Sequence, residues 1–214
     1  MKSILADILL EPELNSFDIA LHDIDPKRLK TSQIVAENIC KSLNAPASIK
    51  TTLDRKEALK GADFVIVMIQ VGGYEPSTVI DFEIPAKYGL QQTIADTLGI
   101  GGIMRGLRTV PVLVEIAKDI IEQCPKAWML QYVNPMAINC LALSDFVPDL
   151  QYVGLCHSVQ GTAADLARDI NEDLSKIQYE CSGINHMSFF TKFEKKLDNG
   201  LSLIHISEPT RRPI

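Results

Sequence analysis

The chain carries little excess charge and no basic stripe. Its 214 residues include 27 acidic and 21 basic side chains, which gives a formal net charge of −6. Because nucleic acids are bound through clustered Lys and Arg side chains, this balance argues against a nucleic-acid partner. No apolar run approaches the roughly 20 residues that span a bilayer, so we expect no membrane partner either.

Cysteine is sparse, and its distribution is not that of a disulfide scaffold. The chain has five cysteines, an odd number, scattered along its length: Cys40, Cys124, Cys140, Cys156 and Cys181. No signal-peptide pattern precedes them. We therefore expect a reduced protein in the cytoplasm.

A Gly-rich turn is also missing from the place where a dinucleotide-binding fold has one. Residues 3–10 predict a helix, and neither a strand nor a Gly-x-Gly turn precedes it. Farther along, strand-like runs alternate with helical patterns, and residues 63–69 read as a strand covered on both faces. This alternation predicts an α/β, Rossmann-like, doubly wound parallel sheet that lacks its first strand.

Two short segments present possible metal ligands at the ends of predicted strands. Gly154-Leu155-Cys156-His157 supplies a cysteine, and Gly183-Ile184-Asn185-His186 supplies a histidine. One Cys and one His leave a coordination shell incomplete, so water or substrate oxygens would complete it, as in an open catalytic site. The alternatives are a small core cysteine at Cys156 and a hydrogen-bonded structural histidine at His186.

Three further positions favour a nucleotide. Asp23 ends a predicted strand, where an acid can accept hydrogen bonds from ribose hydroxyls, although an exposed loop acid is the alternative. Val71-Gly72-Gly73 follows a buried strand and lets the backbone approach a pyrophosphate or ribose, unless it forms only a turn. Asn134 stands at another strand end, where it can contact a nicotinamide ribose or a substrate hydroxyl, or cap the next helix.

Four motifs together resemble one enzyme family. They are QTIADTLGIGGIMRGLRTVP at 92–111, YVNPMAIN at 132–139, GLCHSVQGTA at 154–163 and GINHM at 183–187. In this order they resemble the NAD- and manganese-dependent glycosidases of glycoside hydrolase family 4, and the CHSV form is similar to the α-galactosidase branch. The resemblance extends over residues 2–200.

The resemblance implies a mechanism and a set of roles. NAD⁺ takes a hydride from C3 of the sugar, the C2 proton is then removed, the group at C1 leaves, and water adds before the steps reverse. The matching Cys156 and His186 bind Mn²⁺ in relatives. His157 stands where some branches carry an acid that donates a proton, and Asp96 matches a carboxylate that tunes the catalytic base. The family's base is a tyrosine that we place outside the matched segment.

The resemblance also implies a division into domains. We predict an N-terminally truncated NAD-binding domain over residues 1–155, followed at 156–200 by the start of a metal and substrate domain like the C-terminal domain of lactate and malate dehydrogenases. Residues 201–214 resemble a translated sequencing adaptor, so we expect an artefact there. The alternative is a real strand after an Asn199-Gly200 turn.

The expected function is hydrolysis of melibiose-like α-galactosides, with a small sugar as substrate and a homo-oligomeric parent protein. A 6-phospho-glycosidase is the first alternative, but residues 77–81 carry no Arg or Lys to hold a phosphate. The others are a 2-hydroxyacid dehydrogenase, in which the Cys-His pair has no role, and a truncated reading frame without function. We expect the 214-residue chain itself to be an inactive fragment.

Overall fold

The computed structural model describes residues 2–11, 13–14, 17–92 and 97–196, together with the backbone of 202–204. The chain divides into two compact units, each discontinuous in sequence. The first unit comprises Met1–Ile69, Pro111–Gln131 and Ala142–Val153, and the second comprises Gln70–Val110, Tyr132–Leu141 and Gly154–Ile214. The predicted boundary at residue 155 remains a prediction.

Helices and strands alternate through most of the chain, as the sequence predicts. The helices are α1 (Lys2–Leu10), α2 (Pro26–Leu43), α3 (Arg55–Leu59), α4 (Val79–Lys87), α5 (Gly99–Gln123), α6 (Met136–Phe146) and α7 (Ser158–Asp169). The strands are β1 (Asp18–His22), β2 (Ser48–Thr52), β3 (Phe64–Val67), β4 (Trp128–Gln131), β5 (Tyr152–Gly154), β6 (Ile177–Ile184), β7 (Met187–Lys196) and β8 (Ser202–Ile204).

The strands form three sheets. β1 pairs with β2 in parallel, and β3 pairs with β4 in parallel within the order β3-β4-β5. The third sheet, of order β6-β7-β8, is antiparallel. Parallel strands joined through helices confirm the predicted Rossmann-like α/β class.

The helix after β1 begins where the sequence predicts. Asp25 is its N-cap, and its carboxylate accepts hydrogen bonds from the backbone amides of Lys27 and Arg28. Pro26 follows at the first helical position, where its missing amide costs nothing. The helix ends at Asn44, whose left-handed backbone closes the last turn.

Each unit has its own apolar cluster. In the first, α1 packs against α2 through a cluster made of Leu5, Leu9, Ala36 and Cys40. In the second, α7 packs against the antiparallel sheet through a cluster made of Ala163, Ala167, Ile177 and Phe193. Phe190 makes edge-on ring contacts with Tyr179 and Phe193, which adds to this packing.

Residues 70–98 contain Gly72-Gly73, two prolines and few periodic apolar residues, a pattern that predicts a long irregular loop. In the described residues of this segment, however, Gly73–Thr78 forms a kinked helical turn that leads directly into α4. The inner side of α4 carries Asp81, a charged residue that is buried. Because a charged residue takes one of its inward positions, α4 lacks the regular spacing of apolar residues that would predict a helix. The sequence therefore predicts a loop where the structure has this helix.

The tail pairs as a strand. The backbone of β8 is antiparallel to β7, with Ile204 opposite Glu194. This pairing agrees with the alternative of a strand in the tail, which an adaptor-derived peptide can also form. Within the described residues, no helix combines the length and apolar character that crossing a bilayer requires.

Candidate metal centre

Cys156 lies in the short connection between β5 and α7. β5 ends at Gly154, and α7 begins at Ser158, so Cys156 stands just before the first turn of the helix. Its Sγ atom lies 2.8 Å from the Ser158 hydroxyl. Unpaired amide groups at a helix N-terminus favour negative charge, which suits a thiolate ligand.

His186 occupies the turn of the β6–β7 hairpin. Ile184 pairs with Met187 across the two strands, so Asn185 and His186 form a two-residue turn. The backbone of His186 has φ 62°, a left-handed conformation that Gly adopts more readily. Gly183, in β6 just before this turn, has φ 142°, and a Cβ there would stand 2.5 Å from the carbonyl oxygen of Met187.

The hairpin turn and the β5–α7 connection bring the two predicted ligands together. Nε2 of His186 lies 3.6 Å from Sγ of Cys156. Metal–sulfur and metal–nitrogen bonds of about 2.3 and 2.1 Å around one ion place their ligand atoms at roughly such a separation. Both side chains line one cavity of about 180 Å³, together with Ser158, Cys181 and Asn185.

The thiol of Cys156 is held in an environment that favours its ionised form. Burial raises its pKa, but hydrogen bonds from the side chain and backbone of Ser158, the side chain of Asn185 and the backbone of His157 outweigh burial. The net effect lowers the pKa of Cys156 below its ordinary value. Burial alone raises the pKa of Cys124 and Cys140, so these two thiols are poor ligands and nucleophiles.

Within the described part of the chain, no set of three or more His, Cys, Asp and Glu side chains is placed to hold one ion. Asn185, which hydrogen-bonds to Cys156, has a buried Oδ1 atom that finds no hydrogen-bond partner among the residues that the structure describes. A buried amide oxygen of this kind is costly unless a ligand or water satisfies it, so the donor set fits an open cation site.

Asn185, Ser158 and Thr97 are the site residues that sequence reasoning missed. The first two adjoin the predicted ligands within the GINHM and CHSV motifs, and Thr97 lies in the first quoted motif. Thr97 is buried, and its Oγ1 lies 3.2 Å from Nδ1 of His186. Their motifs are the only signal that could have singled them out, because their contacts depend on tertiary structure.

The predicted catalytic residues have different surroundings. His157 is exposed and stands at the N-terminal cap of α7 without a capping side-chain bond. The Oδ1 atom of Asn134 is buried with no hydrogen-bond partner in the part of the chain that the structure describes. The Asn134 amide therefore does not cap α6, and the buried oxygen is suited to a ligand hydroxyl. Asp96 lies outside the described residues.

Asp23, in the first unit, ends the β1 segment as predicted. Its carboxylate accepts hydrogen bonds from Nε of Arg28 at 3.1 Å, from Nη2 of Arg28 at 2.6 Å and from the amide of Asp25 at 2.9 Å. The bonds from Arg28 are the largest cause of a lowered pKa at Asp23. The carboxylate is therefore ionised and oriented, the form that accepts hydrogen bonds from hydroxyl groups.

The two glycines after β3, in the second unit, differ in what surrounds them. Gly72 and Gly73 both have left-handed backbones, with φ 82° and 69°. The hydroxyl of Ser77 fills the space where a Cβ of Gly72 would stand, whereas nothing lies within 4 Å of that position at Gly73. Of the predicted segment Val71-Gly72-Gly73, Gly73 therefore offers the open backbone for a ligand.

An ion pair between the buried Asp81 of α4 and Arg108 of α5 links these two helices. Both guanidinium Nη atoms of Arg108 donate to the carboxylate of Asp81, one of them at 2.9 Å. Gln92 donates to the carbonyl of Asp81 and accepts from the amide of Gly101. The positive charge of Arg108 is thus neutralised by Asp81, although its buried Nε has no hydrogen-bond partner among the described residues.

Sequence comparison relates the chain to glycosidases. The profile described as "Family 4 glycosyl hydrolase" matches residues 1–172. An α-galactosidase of Bacillus subtilis (strain 168) is 52% identical over 194 residues, which are 91% of this chain and 45% of that protein. The chain thus spans less than half the length of this relative.

Structural comparison points the same way. One similar structure is a 6-phospho-α-glucosidase from gut microorganisms, crystallised in complex with NAD and Mn²⁺. The superposition covers 94% of this chain and 45% of the glucosidase chain, with a TM-score of 0.82 and 25% sequence identity. A malate dehydrogenase from Plasmodium falciparum matches 89% of this chain and 53% of its own with a TM-score of 0.63 and 14% identity, which shows the fold alone. Because the family profile covers more than half of the chain, the resemblance of the four motifs is confirmed, and the chain belongs to family 4 of the glycosyl hydrolases.

Proposed function

We propose that the protein is an α-galactosidase that uses NAD⁺ and Mn²⁺ to hydrolyse unphosphorylated, melibiose-like α-galactosides. The observation that carries the proposal is the 3.6 Å separation of Cys156 Sγ and His186 Nε2 in one cavity. The 52% identity with a Bacillus subtilis α-galactosidase supports the choice of substrate class.

Cys156 and His186 would hold the cation. Burial, a thiol with a lowered pKa and an adjacent imidazole nitrogen make a donor set for a divalent ion, and the incomplete protein shell leaves positions for two substrate oxygens. When bound, Mn²⁺ supplies Lewis acidity at the sugar oxygens and NAD⁺ supplies a hydride acceptor. Hydrogen bonds from the Ser158 hydroxyl and the Asn185 amide lower the pKa of the Cys156 thiol, which favours the thiolate needed for this role.

The predicted nucleotide-binding residues would each contribute their own chemistry. Asp23, ionised by its pairing with Arg28, would accept hydrogen bonds from the adenosine ribose. Val71 and Gly72, with the open backbone of Gly73, would line the path of the pyrophosphate or ribose. The unpaired Oδ1 of Asn134 would accept a hydroxyl of the nicotinamide ribose or of the sugar.

Two residues would move or tune protons. His157 is exposed next to Cys156, where an imidazole can donate a proton to the departing group at C1 of the sugar. Asp96, adjacent in sequence to the His186 partner Thr97, would tune the catalytic base through its charge. These roles are carried over from the matching family positions.

The sequence of residues 77–81 supports a sugar without phosphate. This segment contains no Arg or Lys, and the guanidinium of Arg108, which contacts it, is bound by Asp81. A phosphate site needs a cation whose charge is not already neutralised. The alternative, a 6-phospho-glycosidase, is kept as an outcome of the test.

A chimera tests the proposal. Residues 2–196 of this chain would replace the matching segment of the Bacillus subtilis α-galactosidase. We expect the chimera to hydrolyse p-nitrophenyl α-galactoside only with NAD⁺, Mn²⁺ and a reductant present, and Cys156→Ser or His186→Ala to abolish activity. Glu83→Gln, an exposed position on α4, is the control variant. Full activity after chelation, or a preference for the 6-phosphorylated glycoside, would contradict the proposal.

A further inference from the structure

We propose that Thr97 is a positioning residue that fixes the ring of His186 so that Nε2 faces the bound cation. The inference rests on the proposed metal centre and adds to it a residue outside the ligand set. Its basis is a contact between two buried or half-buried side chains that lie far apart in the chain: Oγ1 of Thr97 is 3.2 Å from Nδ1 of His186.

The two nitrogens of His186 face different groups. Nε2 points to the sulfur of Cys156 at 3.6 Å, and Nδ1 points to the hydroxyl of Thr97. A neutral imidazole that binds a cation through Nε2 must carry its proton on Nδ1. The Thr97 hydroxyl can accept that proton's hydrogen bond, and this contact holds the ring with its Nε2 lone pair toward the cation.

Thr97 is itself held in place by close packing. It precedes α5, and a Cβ at Gly102 in the first turn of that helix would stand 2.7 Å from the carbonyl carbon of Thr97 and 2.9 Å from its carbonyl oxygen. The amide of Gly102 donates to the carbonyl of Leu98 at 3.3 Å, which draws the same turn together. The 25-residue helix α5 therefore supports the hydroxyl that contacts the imidazole.

The position of His186 makes the direction of its ring important. The residue sits at φ 62° in a two-residue turn, and its side chain is half-buried. The neighbouring Asn185 directs its side chain to Cys156. A hydrogen bond from a fixed partner on α5's N-terminal side makes the placement of the His186 ring against the sulfur more precise.

The first test measures cation affinity through the visible spectrum of Co²⁺, whose thiolate charge-transfer band reports on Cys156. The variants are Thr97→Val, which removes the hydroxyl, and Thr97→Ser, which keeps it. Thr109→Val is the matched control, because that buried hydroxyl donates to the carbonyl of Arg105 in its own helix. We expect Thr97→Val to weaken Co²⁺ binding by about 10- to 100-fold, and the other two variants to stay within about threefold of the wild type.

The second test needs no variant and keeps the inference falsifiable if Thr97→Val does not fold. Nitrogen-15 NMR of the Zn²⁺-loaded chain at about pH 8, above the usual pKa of histidine, assigns the tautomer. We expect His186 to carry its proton on Nδ1, with slow exchange with solvent. A proton on Nε2, or equal Co²⁺ affinity in Thr97→Val and wild type, would overturn the role of Thr97. A wild-type chain that shows no thiolate band would instead refute the metal centre itself.

Discussion

The backbone of Thr97 lies against Gly102 so closely that a side chain at Gly102 has no room. A Cβ there would meet the carbonyl carbon of Thr97 at 2.7 Å, a distance that real Cβ atoms do not reach. The obstacle is backbone rather than the end of a flexible side chain, so relief requires movement of the segment that holds Thr97. The glycine in this motif is therefore a packing requirement of the turn before α5.

Gly102→Ala is expected to destabilise the chain by about 1–3 kcal/mol, the usual cost of forcing atoms into a filled space. The matched control is Gly161→Ala in α7, where nothing lies within 4 Å of the new Cβ. That change should stabilise the chain by about 0.5–1 kcal/mol, because Ala is the better helix former. Urea denaturation gives both values, and a neutral Gly102→Ala variant would contradict the packing argument.

Replacement of His186 should separate stability from cation binding. A left-handed backbone costs a residue with a Cβ about 1–2 kcal/mol, so His186→Gly should be more stable than His186→Ala by about 1 kcal/mol. Both variants lose the imidazole and should lose Co²⁺ binding. At Asn185, whose φ is negative, the order of Gly and Ala should reverse. Thermal unfolding measures the order, and equal stability of the two His186 variants would argue against the left-handed turn.

Cys156 should be the cysteine that alkylates first at neutral pH. Its pKa is lowered by hydrogen bonds that outweigh burial, so a larger share of this thiol is ionised than at Cys124 or Cys140, whose pKa values burial raises. Ser158→Ala removes donors to the sulfur, raises the pKa of Cys156 and should slow its reaction with iodoacetamide severalfold at pH 7. Ser182→Ala, on the exposed part of β6, is the control.

Peptide mapping by mass spectrometry follows each cysteine separately. Mn²⁺ or Co²⁺ should protect Cys156 and leave the rates at the other cysteines unchanged, because a coordinated sulfur is not free to react. If Cys156 alkylates no faster than Cys140 in the metal-free chain, the hydrogen-bond environment described here is wrong.

Asp23 should contribute to the pH dependence of stability. Its pKa is lowered in the folded chain, chiefly by the hydrogen bonds from Arg28. A group of this kind adds stability above its unfolded pKa of about 4 and loses it as the pH falls through the lower folded value. Asp23→Asn should therefore cost less than about 1 kcal/mol at pH 7, since the pair is partly exposed, and less at pH 2 than at pH 7. A cost that persists unchanged at pH 2 would assign the effect to packing instead.

The sequence predicts most of the elements because their signals are local. The apolar run at 63–69 marks β3, and Asp25 with Pro26 marks the start of α2. The helix α4 was not predicted, because Asp81 faces the interior and is satisfied there by Arg108, which lies 27 residues away. When a charged residue is buried because a residue far away in the sequence pairs with it, the hydrophobic pattern of its own segment does not reveal the burial.

The same reason limits prediction of the site. Cys156 and His186 stand at strand ends, where the fold class places ligands, so sequence position and motif select them. Thr97 meets His186 across 89 residues, and no local pattern reports such a contact. Asn134 could be read as a helix cap or as a ligand group, and only the unpaired state of its buried oxygen separates the two.

Cys156 and His186 are only 30 positions apart, and this proximity has a thermodynamic consequence. Closing a loop of that length costs the unfolded chain roughly 3 kcal/mol of entropy, whatever cross-link closes it. The loop contains α7 and β6, whose own cluster of Ala163, Ala167 and Ile177 already holds them together. A bound cation therefore stabilises one local folding unit by cross-linking its two ends. The resulting protection of backbone amides against hydrogen exchange should be concentrated in residues 156–196 and be slight in α1 and α2.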